Sequence, residues 1–157
     1  MRGSLHQIGV ISDTHGLIRP EALEALRGSQ LIIHCGDIGK VEVLEALRII
    51  APVRAVRGNI DKGEWASDLP ADDVVQVGAC AIYVLHNLSE LDLDPEVAGF
   101  NAVLSGHSHK PKIEQRGNVL FLNPGSAGPR RFKLPIAVAT LSLRSARWKA
   151  QIVPLPV

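Results

Sequence analysis

The first 56 residues alternate short apolar runs with helical stretches, and this alternation restricts the fold more than any other feature of the chain. Residues 5–12 form an apolar run (Leu5, Ile8, Val10, Ile11) that ends in Ser12-Asp13-Thr14-His15-Gly16. Arg19 to Arg27 carries Ala22, Leu23, Ala25 and Leu26 at helical spacing behind Pro20, so a helix is expected there. Leu31-Ile32-Ile33 reads as a second strand, broken at Gly36-Asp37. Residues 41–50 read as a second helix (Val41, Val43, Leu44, Ala46, Leu47), with Pro52 just beyond it. Val53 to Val56 is a third strand, halted at Gly58-Asn59. Continuous apolar strands alternating with helices are the pattern of a parallel sheet covered on both faces, hence an α/β fold.

The second half changes character. Val74 to Val77 and Cys80 to Leu85 look like two strands joined by a tight turn at Gly78. Leu91 to Ala98 is expected to be a short helix and Ala102-Val103-Leu104 a strand. Lys112 to Gln115 and Val119 to Leu122 flank Arg116-Gly117-Asn118, a turn sequence that predicts a hairpin. Ile136 to Leu143 and Trp148 to Val153 predict a last antiparallel pair. A mostly antiparallel second half is therefore expected. With no repeat, low-complexity tract or linker in its 157 residues, the chain reads as one domain over 1–157.

Composition excludes several functions. Lys plus Arg number 17 against 16 Asp plus Glu, a formal net charge of +1, which argues against stable nucleic-acid binding. Aromatic residues are only 4%, too few for base-stacking platforms. Cys35 and Cys80 lie in apolar runs without CxxC spacing, so neither a disulfide framework nor a thiolate metal site is supported. Met1 to Gln7 shows no secretory pattern, and no run of about 18 apolar residues could span a bilayer. A cytoplasmic protein without membrane association is expected.

Five fragments share one arrangement: a polar, metal-ligating side chain just past an apolar strand. They are Asp13-Thr14-His15, Gly36-Asp37, Gly58-Asn59-Ile60-Asp61, His86, and Gly106-His107-Ser108-His109. In open α/β sheets the ligand crevice lies outside the carboxyl ends of the strands, where such loops converge. Four imidazoles, two carboxylates and an amide are too many ligands for one ion. They suit two ions sharing a bridging carboxylate, about 3.5–4 Å apart.

The ordered series Asp13-x-His15, Gly36-Asp37, Gly58-Asn59, His86, Gly106-His107-x-His109 resembles the calcineurin-like metallophosphoesterase family. More narrowly, it is similar to that family's small uncapped phosphodiesterases, which also show the turn present here as Asn123-Pro124-Gly125-Ser126. The resemblance spans Ile8 to Arg131 and implies a four-layer αββα sandwich of two mixed β-sheets flanked by helices. It implies that Asp13, His15, Asp37 and His109 hold a first metal. Asp37 then bridges to a second metal held by Asn59, His86 and His107, with Asp37 and Asn59 also taking catalytic roles. The implied activity is hydrolysis of small phosphodiesters by a metal-bridging hydroxide. Two divalent ions are expected, manganese first, with iron, nickel, zinc or magnesium as alternatives, since no thiolate selects a soft metal. Arg130 and Arg131 are candidates for clamping a substrate phosphate, against the alternative of a solvated basic turn.

Two departures from the family pattern stand out. Ile60 occupies the position where many members carry a His able to protonate the leaving group, and Asn87 follows His86 where Gly is common. Other readings remain open. The same centre could serve a phosphomonoesterase, and the fold alone could serve as a protein-binding scaffold, as in a eukaryotic retromer subunit similar to this subgroup. Small members of the subgroup are often oligomeric, so a homo-oligomer is an open expectation. Asp37 could instead cap the second helix, and His34, inside the second strand, reads as a structural core histidine.

Overall fold

The computed structural model describes residues 6–145 and 147–157, so Leu5 of the expected first strand and residues 1–5 of the expected leaderless start lie outside it. The first five elements follow the alternation of the sequence. They are β1 (His6–Ile11), α1 (Pro20–Ala25), β2 (Leu31–His34), α2 (Val41–Arg48) and β3 (Val53–Ala55). β1, β2 and β3 pair in parallel, with Val10 opposite Ile33 and His34 opposite Ala55. Pro20 opens α1, where its missing N–H costs nothing. α2 buries Val43, Leu44 and Leu47, and its cap position is Lys40, not Asp37.

The remaining strands are β4 (Asp72–Val77), β5 (Cys80–Leu85), β6 (Ala102–Leu104), β7 (Lys112–Arg116), β8 (Val119–Asn123), β9 (Ala137–Arg144) and β10 (Arg147–Pro154). They do not form one antiparallel unit. β9 and β10 return to the first sheet, where β9 runs antiparallel to β1, giving the order β10-β9-β1-β2-β3. The second sheet has the order β4-β5-β6-β8-β7, and β5, β6 and β8 are mutually parallel. The expectation of a mostly antiparallel second half is corrected accordingly: both sheets are mixed. The connection from β5 to β6 is long enough to cross over, and that makes a parallel pair possible.

The helix expected at Leu91–Ala98 is a single turn. The Asp94 side chain accepts the amide hydrogens of Glu96 and Val97, and Gly99, at φ 89, ends the turn. Between Pro95 and Gly99 there is no room for a second turn.

The sheets pack face to face through Ile8, Val10, Ile33, Val75, Ile82, Val84, Leu104, Leu120, Leu122 and Leu141. Strand alternation sends Ile11 and Ile32 to the opposite face, under Ala22, Leu26, Leu44 and Leu47 of the helices. Tyr83, Val103, Val119 and Phe121 cover the outer face of the second sheet against Leu88, Leu91, Leu93 and Phe100. This sandwich brings the carboxyl ends of β1, β2, β3, β5 and β6 to one place.

Candidate metal centre

Asp13 and His15 leave β1 beside Asp37, which leaves β2, and the two loops run on side by side. Asp13 N–H donates to Gly36 O at 3.0 Å, and His15 N–H to Asp37 O at 2.9 Å. Asn59 follows β3, His86 follows β5, and His107 and His109 follow β6. Five of these seven residues have left-handed backbone: Asp13, His15, Asp37, His107 and His109, with φ between 49 and 71. Each non-glycine residue held there costs about 1–3 kcal/mol, a strain that concentrates at functional sites.

Close approach of the loops depends on glycine. A Cβ at Gly58 would fall on the backbone nitrogen and Oδ1 of Asp37, and one at Gly106 would fall on Ser12 Oγ. Asp61 ties the strand ends together by accepting the amide hydrogens of Ile38 (3.2 Å), Gly39 (2.9 Å) and Gly58 (2.8 Å). Asn123 of the Asn-Pro-Gly-Ser turn donates to Gly106 O at 3.0 Å, and Ser126 Oγ donates to Asp13 O at 3.0 Å. That turn therefore braces two ligand loops at once. Sequence reasoning singled out the turn and Asp61 without their partners, which belong to distant strands.

The side chains gather in two groups, Asp13 with His15 and His109, and Asp37 with His86 and His107, each with donor atoms within 4.8 Å of one another. Asp13 Oδ2 accepts from Ser12 Oγ at 2.6 Å and from His107 N–H at 3.0 Å. Its Oδ1 has no hydrogen-bond partner and lies 3.3 Å from His109 Nε2 and 3.9 Å from His15 Nε2. Asp37 is divided the same way. Its Oδ1 accepts from Ile60 N–H at 3.1 Å, while Oδ2 lies 3.6 Å from His15 Nε2 and 3.3 Å from His86 Nε2, so it faces both groups.

His86 donates from Nδ1 to Cys35 O at 2.7 Å, which leaves Nε2 as a lone pair aimed at Asp37 and, at 3.3 Å, at His107 Nδ1. A ligand imidazole is held in this way by a bond from its other nitrogen. Lone pairs pointing at one another across 3.3 Å repel unless a proton or a cation lies between them. Separations near 3.3 Å are also what two donors about 2.1 Å from one cation would show. Among the described residues, Asp13 Oδ1 and His15 Nε2 are buried without hydrogen-bond partners, and a divalent ion would satisfy both. The residues present therefore fit a metal centre.

Electrostatics agree with the geometry. Burial alone would raise the carboxyl of Asp13, but the nearby His15 imidazole, the Ser12 hydroxyl bond and the neighbouring His86 and His109 outweigh it and hold the pKa below its ordinary value. Burial is likewise outweighed at Asp37 by His86, the Ile60 amide and His15. Both carboxylates are ionised at neutral pH. His34 lies beneath the loops, wholly buried, and burial pushes its pKa down to about 4. Thr14 Oγ1 already donates to Ile38 O, so His34 Nε2–H donates to Thr14 Oγ1 at 3.1 Å while Nδ1 accepts from Gly36 N–H. It is a structural histidine.

Asn59 is exposed and lines a cleft of about 240 Å³ together with Arg57, His86, Asn87, Glu90 and His107. Arg130 is engaged elsewhere: its guanidinium donates to the carbonyls of Leu134 (3.2 Å) and Val157 (3.0 Å). Arg131 is exposed, and its charge reaches His109. Cys35 is fully buried. Burial pushes its thiol pKa up, and that removes it as a nucleophile.

The family model of the calcineurin-like phosphoesterase superfamily domain matches residues 7–146, spanning every residue of this centre. The chain belongs to that superfamily. It is 33% identical over 166 residues to a protein of Methanocaldococcus jannaschii named a probable metallophosphoesterase, an alignment covering 98% of this chain and 83% of that one. A phosphodiesterase of the same organism is 26% identical over 138 residues, covering 76% of this chain and 82% of its own. Among solved structures, vacuolar protein sorting 29 from Cryptosporidium parvum has a TM-score of 0.78 at 19% identity, covering 94% of this chain and 96% of its own, and shows the same fold. This member of the superfamily is thus a metal-dependent phosphoesterase with the family's two-sheet fold.

Proposed function

We propose that this phosphoesterase hydrolyses small phosphodiesters at a centre of two divalent cations. Its main support is Asp37 Oδ2, an ionised oxygen facing both ligand groups. By this reading Asp13, His15, Asp37 and His109 hold one cation, and Asp37, Asn59, His86 and His107 the other. The cations, when bound, would supply a hydroxide nucleophile at neutral pH and neutralise charge on the phosphoryl oxygens.

The chain's own groups do the rest. Two carboxylates against two divalent ions leave the centre positive, which draws a singly charged diester into the cleft. Cys35 O and the Ile60 amide fix the His86 ring and the Asp37 carboxylate before substrate arrives. Such preorganisation avoids reorganisation during the reaction. Asn59, on the rim beside His86 and His107, is placed to contact the phosphoryl group as well as a cation. Oxygen and nitrogen donors without thiolate suit manganese, the first expectation, as well as iron, nickel or zinc, with magnesium as a further alternative.

Metal analysis of the purified protein, followed by hydrolysis of bis-nitrophenyl phosphate with added manganese, tests this reading. Asp37→Asn and His107→Ala are each expected to lower kcat/KM at least about 100-fold. Unchanged activity in both variants refutes the mechanism. Faster turnover of nitrophenyl phosphate than of the diester would make the protein a monoesterase, and a protein that binds no metal and turns over neither ester would be a scaffold.

A further inference from the structure

We propose that a second groove, opening beside the metal centre, holds one ester substituent of the substrate and selects a substituent that carries an additional anionic group. This rests on the phosphodiesterase reading and deepens it. The groove has a volume of about 290 Å³. Its lining includes Leu88 and Phe121 together with Lys110, Lys112, Arg116 and a single carboxylate, Glu114. Asn87 and His107 line both this groove and the cleft at the metal centre, so the two spaces adjoin.

Strand register builds the cationic wall. β7 pairs with β8 so that Lys112 stands opposite Asn123, Glu114 opposite Phe121 and Arg116 opposite Val119. Directly opposed residues share a face of the sheet, here the outer face that carries Val119 and Phe121. Lys112 and Arg116 are therefore displayed along the groove from the Asn123 brace outward, over about 13 Å. That length suits one substituent, not a polymer.

The charge is one-sided. Glu114 is bonded by Arg116 at 3.0 Å and by Lys112 at 3.2 Å. The Arg116 hydrogen bond, then Lys112, pulls the Glu114 pKa down to about 2, so this carboxylate stays charged and neutralises only one of its two partners. Lys110 has no carboxylate partner among the described residues. Arg116 also lies 4.4 Å over the Phe121 ring, a flat cationic surface suited to a planar group. An anion on the substituent would meet Lys110 and Lys112, while its apolar or planar body rests on Leu88 and the Arg116 guanidinium.

The test compares two nitrophenyl esters of thymidine monophosphate, one with the second sugar hydroxyl free and one with that hydroxyl phosphorylated, in the manganese-loaded protein. Wild type is expected to show a kcat/KM about threefold to tenfold higher for the phosphorylated ester. The ratio should fall with added salt and approach unity in the Lys110→Ala/Lys112→Ala double variant. Hydrolysis of both esters with a ratio near one in wild type, or a ratio the double variant leaves intact, overturns the groove's role alone. Failure to hydrolyse either ester overturns the phosphodiesterase reading and the groove's role with it.

Discussion

Asp13 and Asp37 each spend one carboxylate oxygen on the protein and leave the other facing the histidines. That division keeps both acids oriented and ionised. The residue after Asn59 carries no titratable group. Ile60 is part-exposed in the cleft loop and contributes only its backbone N–H, donated to Asp37, so no proton comes from that position. General acid catalysis is worth about 10²–10⁴-fold. We therefore expect aryl phosphodiesters to be turned over at least about 100-fold faster than matched alkyl diesters, and similar rates for the two would refute this. His34 gives a pH prediction. Its pKa is about 4 folded against an ordinary 6.5. Its contribution to stability is therefore complete above pH 6.5 and is lost as pH falls through about 4, on the order of 3 kcal/mol in all. His34→Asn keeps an acceptor for the Gly36 amide but cannot titrate. Urea midpoints of the metal-free protein between pH 7 and 4 should fall less steeply in this variant, and parallel slopes would disprove the assignment.

The working unit at the element scale is the strand end with its short loop. β1, β2 and β3 are parallel, so their carboxyl ends share one edge, and the loops there must turn sharply to stay clear of the helices that follow. Left-handed backbone at Asp13, His15 and Asp37 makes those turns and points the ligands inward. Gly58 is where the β3 loop meets the β2 loop, and a methyl group there would displace Asp37. Gly58→Ala is expected to cost about 1–3 kcal/mol of stability, as overpacking does, and to lower manganese affinity and activity by tenfold or more. A variant with normal metal affinity, measured by competition with a chelator, would show that the contact is not decisive. The C-terminal hairpin β9–β10 acts from further away. It closes the open side of β1, and Ser126, bridged to Ile136 at the start of the hairpin, holds the Asp13 carbonyl.

Across the whole molecule, two sheets packed face to face carry a rim of carboxylates and imidazoles at one end. Asp13 Oδ1 and His15 Nε2 are buried without hydrogen-bond partners among the described residues, above the apolar interface of the two sheets. Ion binding should then feed back on global stability. At about 100 times the dissociation constant, an ion that binds only the folded state adds about 2.7 kcal/mol, or about 5–10 °C in Tm for a chain of this size. Manganese should raise the wild-type Tm by that amount, a chelator should reverse it, and Asp37→Asn should show little of it. An equal rise in Asp37→Asn would mean that the ion binds elsewhere.

Local pattern was enough to read the strand–helix alternation up to Val56, because apolar periodicity and the stops at Asp13, Asp37 and Asn59 are written in neighbouring residues. The candidate ligands were legible for the same reason: each sits one to five residues past the end of an apolar run that reads as a strand. Pairing between distant strands was not legible. Nothing near Ile136 tells that β9 lies against β1 and not beside β8, since both edges offer the same backbone hydrogen bonds and only burial of the whole interior chooses between them. His34 was legible as a core histidine, but the bracing roles of Asp61 and Asn123 were hidden, because backbone groups of other loops, Ile38 and Gly39 for Asp61 and Gly106 for Asn123, are among their partners. Residue chemistry proposed the centre, and packing of the two sheets decided that its parts would meet.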